Sequence, residues 1–534
     1  MSLTSALEIG KSGLTIYRVA TEVTGENIAN VNTPGYSRQR VILESAPPTN
    51  ANGFPLGTGV NISAVERYYD GLLQQQIVNA QTTQGYDTTK STVLQQVEPT
   101  FNEVANDGLG ASISNYFSSW QDLSVNPTGQ AERQSVITTA NILADNFHSI
   151  SKTLTDTVSL QNASLTPIVD SVNASLKNIA QLNGQIKTTE IVSGNANELR
   201  DQRDQLIRDL SQKIGITFTE NSDGTTDVRF ADSGGALVTG ISAGAFSLDK
   251  TNPNSYSVQL TPAGGTLGTV KPTTGQLGAT LALRDTIIPG YLTQIDTLAK
   301  SISDSVNTTH ILGFSPTGGT GQSFFNSSSV KFGDLANGTN IVKNVSDVSG
   351  LRVGMMVQGA NIPAGSVIGA IDPTAKTFTL VTSSGAPANA TGTAATSPLT
   401  FSAAAFFSLD PTLTTDTIAA SSSILLPGDN GNALKIVKLS SSNNVPSGAP
   451  TSTFSSFYSS FVSTIGLDVS SSKTTVSQDE AFTKQLTSLR ESNSGVSLDE
   501  ELTNMIKYQR SYQASAKLIT TATEMMDTVI AMVR

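Results

Sequence analysis

Side chains that could act as catalysts or metal ligands are few in this sequence, and they lie far apart. The chain has no Cys, which excludes disulfide bonds, thiolate zinc sites and cysteine nucleophiles. Its two histidines, His148 and His310, lie in separate helical segments and have no flanking pattern of metal ligands. We therefore interpret both as ordinary surface or core residues.

Three other features have part of the composition of a site but not its context. The glycine-rich residues 318–321 lack the Lys and the following helix of a phosphate-binding loop. No Gly-x-Ser-x-Gly segment stands between a strand and a helix with partners for a catalytic triad. The acidic run Asp499, Glu500 and Glu501 is explained more simply by the dipole of a helix that starts there. The sequence thus predicts no catalytic, metal or cofactor site.

An amphipathic helix is predicted at the N-terminus, and it could present a binding surface instead. Apolar side chains between residues 3 and 31 recur at intervals of three and four. Thr33 before Pro34 is disfavoured in a helix and Pro34-Gly35 favours a turn, so the helix should end near Val31. Two glycines weaken it by about 1 kcal/mol each relative to Ala, which either permits close packing or reflects a marginal helix. These features are the apolar residues Leu3, Leu7, Leu14, Tyr17, Ile28 and Val31 and the glycines Gly10 and Gly13.

The C-terminal helix is predicted to begin at Ser497. Glu500 follows three residues later, which is the spacing of a capping box. Apolar side chains then recur every seven residues and form an a/d seam typical of coiled coils. Because the N-terminal helix has a matching apolar stripe, we expect the two ends of the chain to pair. The seam consists of Leu498, Met505, Tyr512, Ile519, Met526 and Val533, completed by Leu502, Ala516 and Ile530.

The chain between the two ends alternates between helical and β-rich patterns. Residues 131–186 predict a long helical hairpin, and residues 278–309 predict another helix. Short alternating segments with Asn-Ser-Asp-Gly and Gly-Gly turns predict strands up to about residue 274. In a second β-rich block, residues 367–371 and 377–381 flank the turn at Asp372 and predict a hairpin.

We predict an α+β multidomain fold. The N- and C-terminal helices pair as a coiled-coil-like inner domain, and a long-helix bundle domain carries two inserted β-rich outer domains. The inner domain comprises residues 1–50 and 496–534. The rod-like helical domain comprises residues 51–216, 275–333 and 399–495, and the β-rich domains comprise residues 217–274 and 334–398.

Composition limits the possible partners. The formal net charge of -11 and a pI near 4.8 disfavour attraction to nucleic acid or to an anionic membrane. No run approaches the roughly 18 apolar residues that span a bilayer, so we expect no membrane insertion. The first residues lack the basic and apolar regions of a secretory signal, so if the protein is extracellular it leaves the cell by a route that does not cleave one. Only 14 % of the residues are charged, which suits packing against copies of the same chain.

Several segments resemble one protein family. Residues 27–39 closely resemble the N-terminal signature of flagellar axial proteins, and the ending Gly35-Tyr36-Ser37-Arg38-Gln39 resembles the hook-associated protein 1 family in particular. Residues 197–206 are similar to the family's helix that leads into its first outer domain. Residues 275–285 and 428–434 resemble later family segments, and residues 504–517 are like the terminal signature of rod, hook and junction proteins. The β-rich blocks match no motif.

The resemblance implies a structural subunit of the bacterial flagellum and not an enzyme. It implies export by the flagellar type III apparatus and an extracellular location at the hook–filament boundary. The implied partners are copies of the chain in a helical assembly, the hook protein, the second hook–filament junction protein and a cytoplasmic export chaperone at the C-terminal helix. The predicted assembly interface is Leu3, Leu7, Leu14, Tyr17, Ile28, Asn30, Asn32, Pro34, Gly35, Tyr36, Leu498, Leu502, Met505, Tyr512, Ile519, Met526, Ile530 and Val533.

Three alternatives remain open at this point. The chain could be another axial component such as hook protein or flagellin, although Ser37-Arg38-Gln39 and residues 197–206 favour the junction protein. The β-rich blocks could make it a surface adhesin on a flagellar scaffold. A cell-wall hydrolase on such a scaffold would need an acid or metal constellation, and the sequence contains none that we recognise.

Overall fold

The computed structural model describes residues 3–51, 54–103, 108–250, 255–319, 321–326, 328–348, 351, 353–363, 366–382, 386–402, 404–424, 426–445 and 451–533. Helices and antiparallel sheets alternate along the chain, and the first and last helices lie side by side. Within those ranges, none of the helices combines the length and the apolar character that crossing a lipid bilayer requires.

The N-terminal region is a helix followed by two small hairpins. They are α1 (Leu3–Ala29), β1 (Gln39–Ser45), β2 (Thr49–Ala51), β3 (Phe54–Leu56) and β4 (Val60–Arg67). Gly35, with a φ of 83°, makes the turn after α1 in a left-handed conformation that favours glycine. Strand β1 pairs antiparallel with β4 and both pack against α1. The pairing of these two strands crosses residue 50, where the sequence predicts the end of the inner domain.

A helical region follows, and one of its helices is much longer than predicted. It contains α2 (Gly71–Val97), a 3₁₀ turn (Glu98–Phe101), α3 (Leu109–Val125), α4 (Gln130–Ser193) and α5 (Asn197–Lys213). The predicted hairpin within residues 131–186 is wrong, because α4 is one continuous helix of 64 residues. The chain turns back only at Gly194, which has a φ of 84°. Pro167 and Asn183-Gly184 are local turn signals, but apolar residues buried along the whole of α4, from Leu143 to Ile186, override them.

Two small antiparallel sheets lie against these helices. Their strands are β5 (Ile216–Glu220), β6 (Thr226–Phe230), β7 (Ala236–Thr239), β8 (Ser242–Ala243), β9 (Ala245–Asp249), β10 (Ser257–Thr261) and β11 (Gly268–Thr269). The order is β5-β6-β7-β8 in one sheet and β11-β10-β9 in the other. Val228, Phe246 and Leu260 of the sheets share one hydrophobic core with Val172 of α4 and Ile207 of α5. The sheets therefore depend on the helices for their core.

The chain then returns to the helical region through α6 (Gly275–Ala282), a π-helical turn (Leu283–Ile287) and α7 (Ile288–His310). Trp120 lies fully buried in the core of this region. Its ring centroid is 5.6 Å from that of Phe324 and 6.1 Å from that of His310. Trp120 is thus an anchor of the helical core.

A separate antiparallel sheet follows α7, and we call residues 328–402 the outer sheet domain. The strands of this domain are β13 (Ser328–Leu335), β14 (Ile341–Val342), β15 (Met356–Gln358), β16 (Val367–Asp372), β17 (Thr377–Val381) and β18 (Ala394–Ser402). They are flanked in the chain by β12 (Phe325–Asn326) and β19 (Ser408–Leu409). Among the described residues, β13-β18-β15-β16-β17-β14 form one sheet. A bridge between Asp334 and Lys343 joins its two edges, so the sheet closes on itself. Strands β12 and β19 pair separately beside it.

The outer sheet domain has a hydrophobic core of its own, which includes Ile368, Phe378 and Phe401. The predicted hairpin within it is confirmed, because β16 pairs with β17 and the Asp372 carboxylate accepts bonds from the two turn amides that follow Pro373. Strands β13 and β18 pair beyond the predicted limits of 334 and 398. The domain therefore begins at Ser328 and ends at Ser402.

The chain ends in helices. After a 3₁₀ turn (Ala404–Phe406) come α8 (Gly431–Leu439), α9 (Phe454–Ser494) and α10 (Leu498–Val533). Helix α9 packs along α2, and α10 packs antiparallel along α1. The two ends of the chain therefore pair, as the sequence predicted.

Candidate functional site

The terminal helices approach each other most closely where α1 has glycine. A Cβ atom added at Gly10 would lie 2.5 Å from Ile519 Cγ1, and one added at Gly13 would lie 2.6 Å from Ser515 Oγ. Only glycine allows the two backbones this separation without a shift. The glycines that weaken α1 as an isolated helix thus permit close packing against α10.

The positions of α10 that face α1 differ in part from the predicted seam. Tyr508 stacks on Tyr17 with ring centroids 6.4 Å apart, and the buried Glu501 also faces α1. Leu502 and Ile530 expose 50 % and 57 % of their surfaces, so they do not complete a seam with α1 within this chain. Two residues that follow a given residue by three and by four positions both lie near the same face of a helix. The sequence of α10 alone therefore does not show which of them packs against α1.

The other predicted interface residues fall into three groups. The partly buried ones are Leu7, Leu14, Ile28, Asn30, Gly35, Tyr36, Met505, Ile519 and Met526, and the exposed ones are Asn32, Pro34, Leu498 and Tyr512. The side chains of Leu3 and Val533 lie outside the described residues. Some of the predicted interface residues are thus partly covered within the chain, and the others lie on its exposed surface.

A buried asparagine joins the end of α1 to the start of α10. Asn27 Nδ2 donates to the backbone oxygen of Gln39 at 2.9 Å and to Glu501 Oε2 at 3.1 Å. Its Oδ1 accepts from the Tyr36 hydroxyl and from the backbone N–H of Gln39, both at 2.9 Å. All the hydrogen-bonding capacity of this buried amide is therefore used.

Asp201 of α5 holds the segment after α1 and the end of β4. Its carboxylate accepts from the Ser37 backbone N–H at 2.7 Å and from the Ser37 hydroxyl at 2.8 Å. Arg67 Nη1 pairs with Asp201 at 2.6 Å and with Asp204 at 2.8 Å. Burial acts to lower the pKa of Arg67, but Asp204 and then Asp201 raise it above its ordinary value. The guanidinium therefore stays charged and offsets part of the negative charge of the two buried carboxylates.

Arg38 bonds to both helices at the C-terminal end of the chain. Its Nε donates to Glu501 Oε1 and its Nη1 to Glu500 Oε2, both at 2.6 Å. Its backbone N–H donates to the Ser494 oxygen, the last residue of α9, at 2.8 Å. Glu500 was predicted to reach back to Ser497 in a capping box, and its carboxylate instead pairs with Arg38.

Gln39 completes the connection to α5. Its Nε2 donates to Glu198 Oε1 at 3.0 Å, and its Oε1 accepts from Asn197 Nδ2 at 2.9 Å. Asn197 also bonds to the backbone oxygen of Val65 at 3.0 Å. We call this connected set the clasp; it consists of Asn27, Tyr36, Ser37, Arg38, Gln39, Arg67, Asn197, Glu198, Asp201, Asp204, Glu500 and Glu501.

A cavity of about 450 Å³ lies beside the clasp, between the Pro34 turn and α5. Tyr36 and Glu198 line it. Burial, followed by the charges of Glu26 and Glu198, raises the pKa of Tyr36. The Tyr36 hydroxyl therefore stays protonated and keeps its role as donor to Asn27.

The clasp was not predicted from the sequence. Residues 27–39 and 197–206 were recognised as separate family segments, and Glu501 was assigned only to the helix dipole. The composition of these segments did contain a sign of buried polar pairs, because Asn, Gln, Asp and Arg cluster there among apolar residues. Such side chains are seldom buried unless they are paired. Their partners could not be identified, because Asn27 and Glu501 are 474 positions apart.

The histidines occupy separate places. His310 is buried, and it bonds to the Gln322 oxygen through Nδ1 and to the Ala419 N–H through Nε2. His148 lies on α4. No group of three or more His, Asp or Glu residues that could hold a metal ion occurs in the described part of the chain.

Family profiles match three parts of the chain. The flagellar hook-associated protein FlgK helical domain matches residues 94–325. The flagella basal body rod protein profile matches residues 7–36, and the flagellar basal body rod FlgEFG protein C-terminal profile matches residues 490–532. The two rod profiles thus cover most of α1 and α10.

Relatives align over nearly the whole length. Flagellar hook-associated protein 1 of Escherichia coli is 28 % identical over an alignment that covers 99 % of this chain and 100 % of the relative. The protein of the same name from Bacillus subtilis is 26 % identical, with 98 % and 97 % covered. A solved structure, the flagellar hook junction protein FlgK from Burkholderia pseudomallei, has a similar fold, with a TM-score of 0.56 and 18 % identity over 79 % of this chain and 100 % of that one. Over nearly its whole length the chain is thus similar to proteins named flagellar hook-associated protein 1, and residues 94–325 match the FlgK helical domain.

Proposed function

We propose that the chain is a structural subunit of the bacterial flagellum at the junction between hook and filament, and that it has no enzymatic activity. Relatives that align from end to end have the name flagellar hook-associated protein 1, and the similar solved structure is named a hook junction protein. A junction subunit must bind neighbours on several sides, so its function should depend on exposed contact surfaces.

The observation that most supports this proposal is the apolar surface that α10 leaves open. Helix α1 covers one side of α10, but Leu502, Ile506 and Met525 expose between 46 % and 60 % of their surfaces on other sides. Apolar side chains beside an occupied helix seam favour assemblies of more than two helices. Single exposed apolar residues are common, but several along one helix favour an interaction surface.

Copies of this chain in a helical assembly, packed through the terminal helices, would cover that surface. The predicted contacts at Leu498, Leu502, Tyr512 and Ile530 belong to this proposal, since α1 leaves these side chains exposed. The hook protein on one side, and the second hook–filament junction protein on the other, would extend the same packing. A cytoplasmic chaperone could cover α10 before export, and the assembled subunit would be extracellular.

Electron microscopy of labelled flagella tests the proposed location. An epitope inserted at the exposed turn around Gly338 would project from the outer sheet domain. We expect one labelled band at the hook–filament boundary. Label along the filament or along the hook would instead indicate another axial component.

A further inference from the structure

A short link separates the last two helices. Helix α9 ends at Ser494 and α10 begins at Leu498, so residues 495–497 set the angle between them. Gly495 is extended, with a φ of -77° and a ψ of 163°, and its N–H donates to Glu491 O at 2.8 Å. A link of this length can adopt several angles unless other contacts restrict it. We call residues 494–498 the elbow.

Arg38, which lies outside the elbow, bonds to both of its arms. On the α9 side, the Arg38 backbone N–H donates to Ser494 O. On the α10 side, the Arg38 guanidinium pairs with Glu500 and Glu501 through separate nitrogens. A guanidinium can hold two carboxylates in a fixed planar arrangement, which an ammonium group cannot do. A change in the elbow angle would therefore break at least one of these bonds.

Arg38 is itself held in place by the residues on either side of it. Ser37 is bonded to Asp201, and Gln39 is bonded to Asn197, so the backbone at Arg38 is attached to α5. From α9, Arg490 Nη2 donates to the Gly35 oxygen at 2.7 Å. The segment that presents Arg38 is therefore fixed to α5 and α9, which both precede the elbow in the chain.

We propose that Arg38 is a clamp that fixes the angle between α9 and α10, and hence the direction in which the terminal helices leave the helical region. The inference concerns the conformation of the chain itself and does not rest on the proposed function. The segment Ser37-Arg38-Gln39 would thus hold the angle between α9 and α10, although both helices lie more than four hundred residues later in the chain.

Spin-label distance measurements on the purified full chain test the clamp. Cysteines introduced by Ser477→Cys on α9 and Gln509→Cys on α10 lie at exposed positions, and the chain has no Cys of its own to compete for the label. We expect one narrow distance distribution. With Arg38→Met, which removes the charge and keeps a long side chain, we expect a distribution about twofold broader or shifted, since the hinge is then free to move.

Two further variants make the test specific. Arg40→Met is the matched control, because Arg40 also lies over the Tyr68 ring but pairs only loosely at the surface, 3.8 Å from Glu66. It should leave the distribution unchanged. Glu500→Gln removes one arm of the clamp at an exposed position and should broaden the distribution less than Arg38→Met does, even if the latter perturbs folding.

Three outcomes would overturn the clamp. They are a broad distribution in the parent chain, no change with Arg38→Met and Glu500→Gln, and equal broadening with Arg40→Met. None of them bears on the location of the protein, which labelled flagella test separately. Unchanged circular dichroism of Arg38→Met would show that any broadening comes from the elbow and not from loss of helix.

Discussion

At the scale of single residues, buried polar side chains join the ends of the chain. Asn27, Ser37 and Asp201 are buried, and each is bonded within the clasp. An unpaired buried polar group costs more than the lost hydrogen bond, because water cannot replace the missing partner. Substitutions that hardly change shape should therefore have large effects here.

We expect Asp201→Asn to lower the free energy of unfolding by about 3 kcal/mol, because it removes a buried charge from Arg67 and places an NH₂ group opposite hydrogen-bond donors. Urea unfolding of the purified chain measures the loss. Asp209→Asn on the same helix is the control, since Asp209 accepts from Gln205 and an Asn oxygen can do the same. Equal stability of the two variants would contradict the role assigned to Asp201.

The buried His310 should make stability depend on pH. Burial lowers its pKa to about 4, and the charge of Arg133 acts in the same direction although the bond to Gln322 opposes both. In the unfolded chain the pKa is near 6.5, so between these values the unfolded chain binds the proton more readily. The folded state therefore loses stability as the pH falls from 6.5 towards 4.

The part of this loss due to His310 should reach about 3 kcal/mol at pH 4. Thermal unfolding at a series of pH values measures it, and His310→Gln should remove this part of the pH dependence. His148→Gln should keep it. If the two variants show the same slope with pH as the parent chain, the buried neutral state of His310 is wrong.

At the scale of elements, the terminal pair depends on backbone proximity as much as on apolar side chains. Gly10 and Gly13 place α1 against Ile519 and Ser515 with no room for a Cβ atom. Such an interface is sensitive to added volume, because two helices in contact cannot make room without separating.

We expect Gly10→Val to weaken the pairing of α1 with α10 by about 2 kcal/mol through overpacking. In a strain that lacks the native protein, cells with this variant should have fewer attached filaments by electron microscopy. Gly25→Ala is the control on the same helix, because a Cβ there meets nothing within 4 Å and the helix gains about 1 kcal/mol. Normal filaments with Gly10→Val would show that close packing at this position is not needed.

At the scale of the whole molecule, the two β-rich regions differ in their dependence on the rest of the chain. Ser328 and Ser402 pair in antiparallel strands, so the outer sheet domain begins and ends at adjacent points. Its core is separate from that of the helices. The sheets after α5, by contrast, share a core with α4 and α5.

We therefore expect that residues 328–402 can be replaced by a short Gly-Ser linker with motility largely intact. Swimming in soft agar by a strain that carries the variant as its sole copy provides the measurement. The contrasting deletion of residues 217–269 should prevent folding, because it exposes Ile207 and Val172 of the helices. Complete loss of filaments with a stably folded, exported 328–402 variant would show that the outer sheet domain is required for assembly.

Local patterns in the sequence were sufficient for several elements. The pairing of the chain ends follows from matching apolar stripes, the end of α1 from Pro34-Gly35, and the β16–β17 hairpin from its Asp-Pro turn. Each depends on residues that are near one another in the chain, where periodicity and backbone preference act directly. The same reasoning predicted a helical hairpin within residues 131–186, because apolar periodicity indicates helix but does not show where one helix ends and another begins.

The sequence by itself thus determined the resemblance to flagellar axial proteins, the helical ends and the order of helical and β-rich regions. Tertiary structure decided which face of α10 meets α1, how far α4 continues, and that Asn27, Arg38, Asp201 and Glu501 form one clasp. A heptad makes two neighbouring positions equally suitable for a seam, and only the glycine face of α1 chooses between them. The partners of a buried polar group are chosen by packing among distant segments, because the group can be buried only where all of them meet.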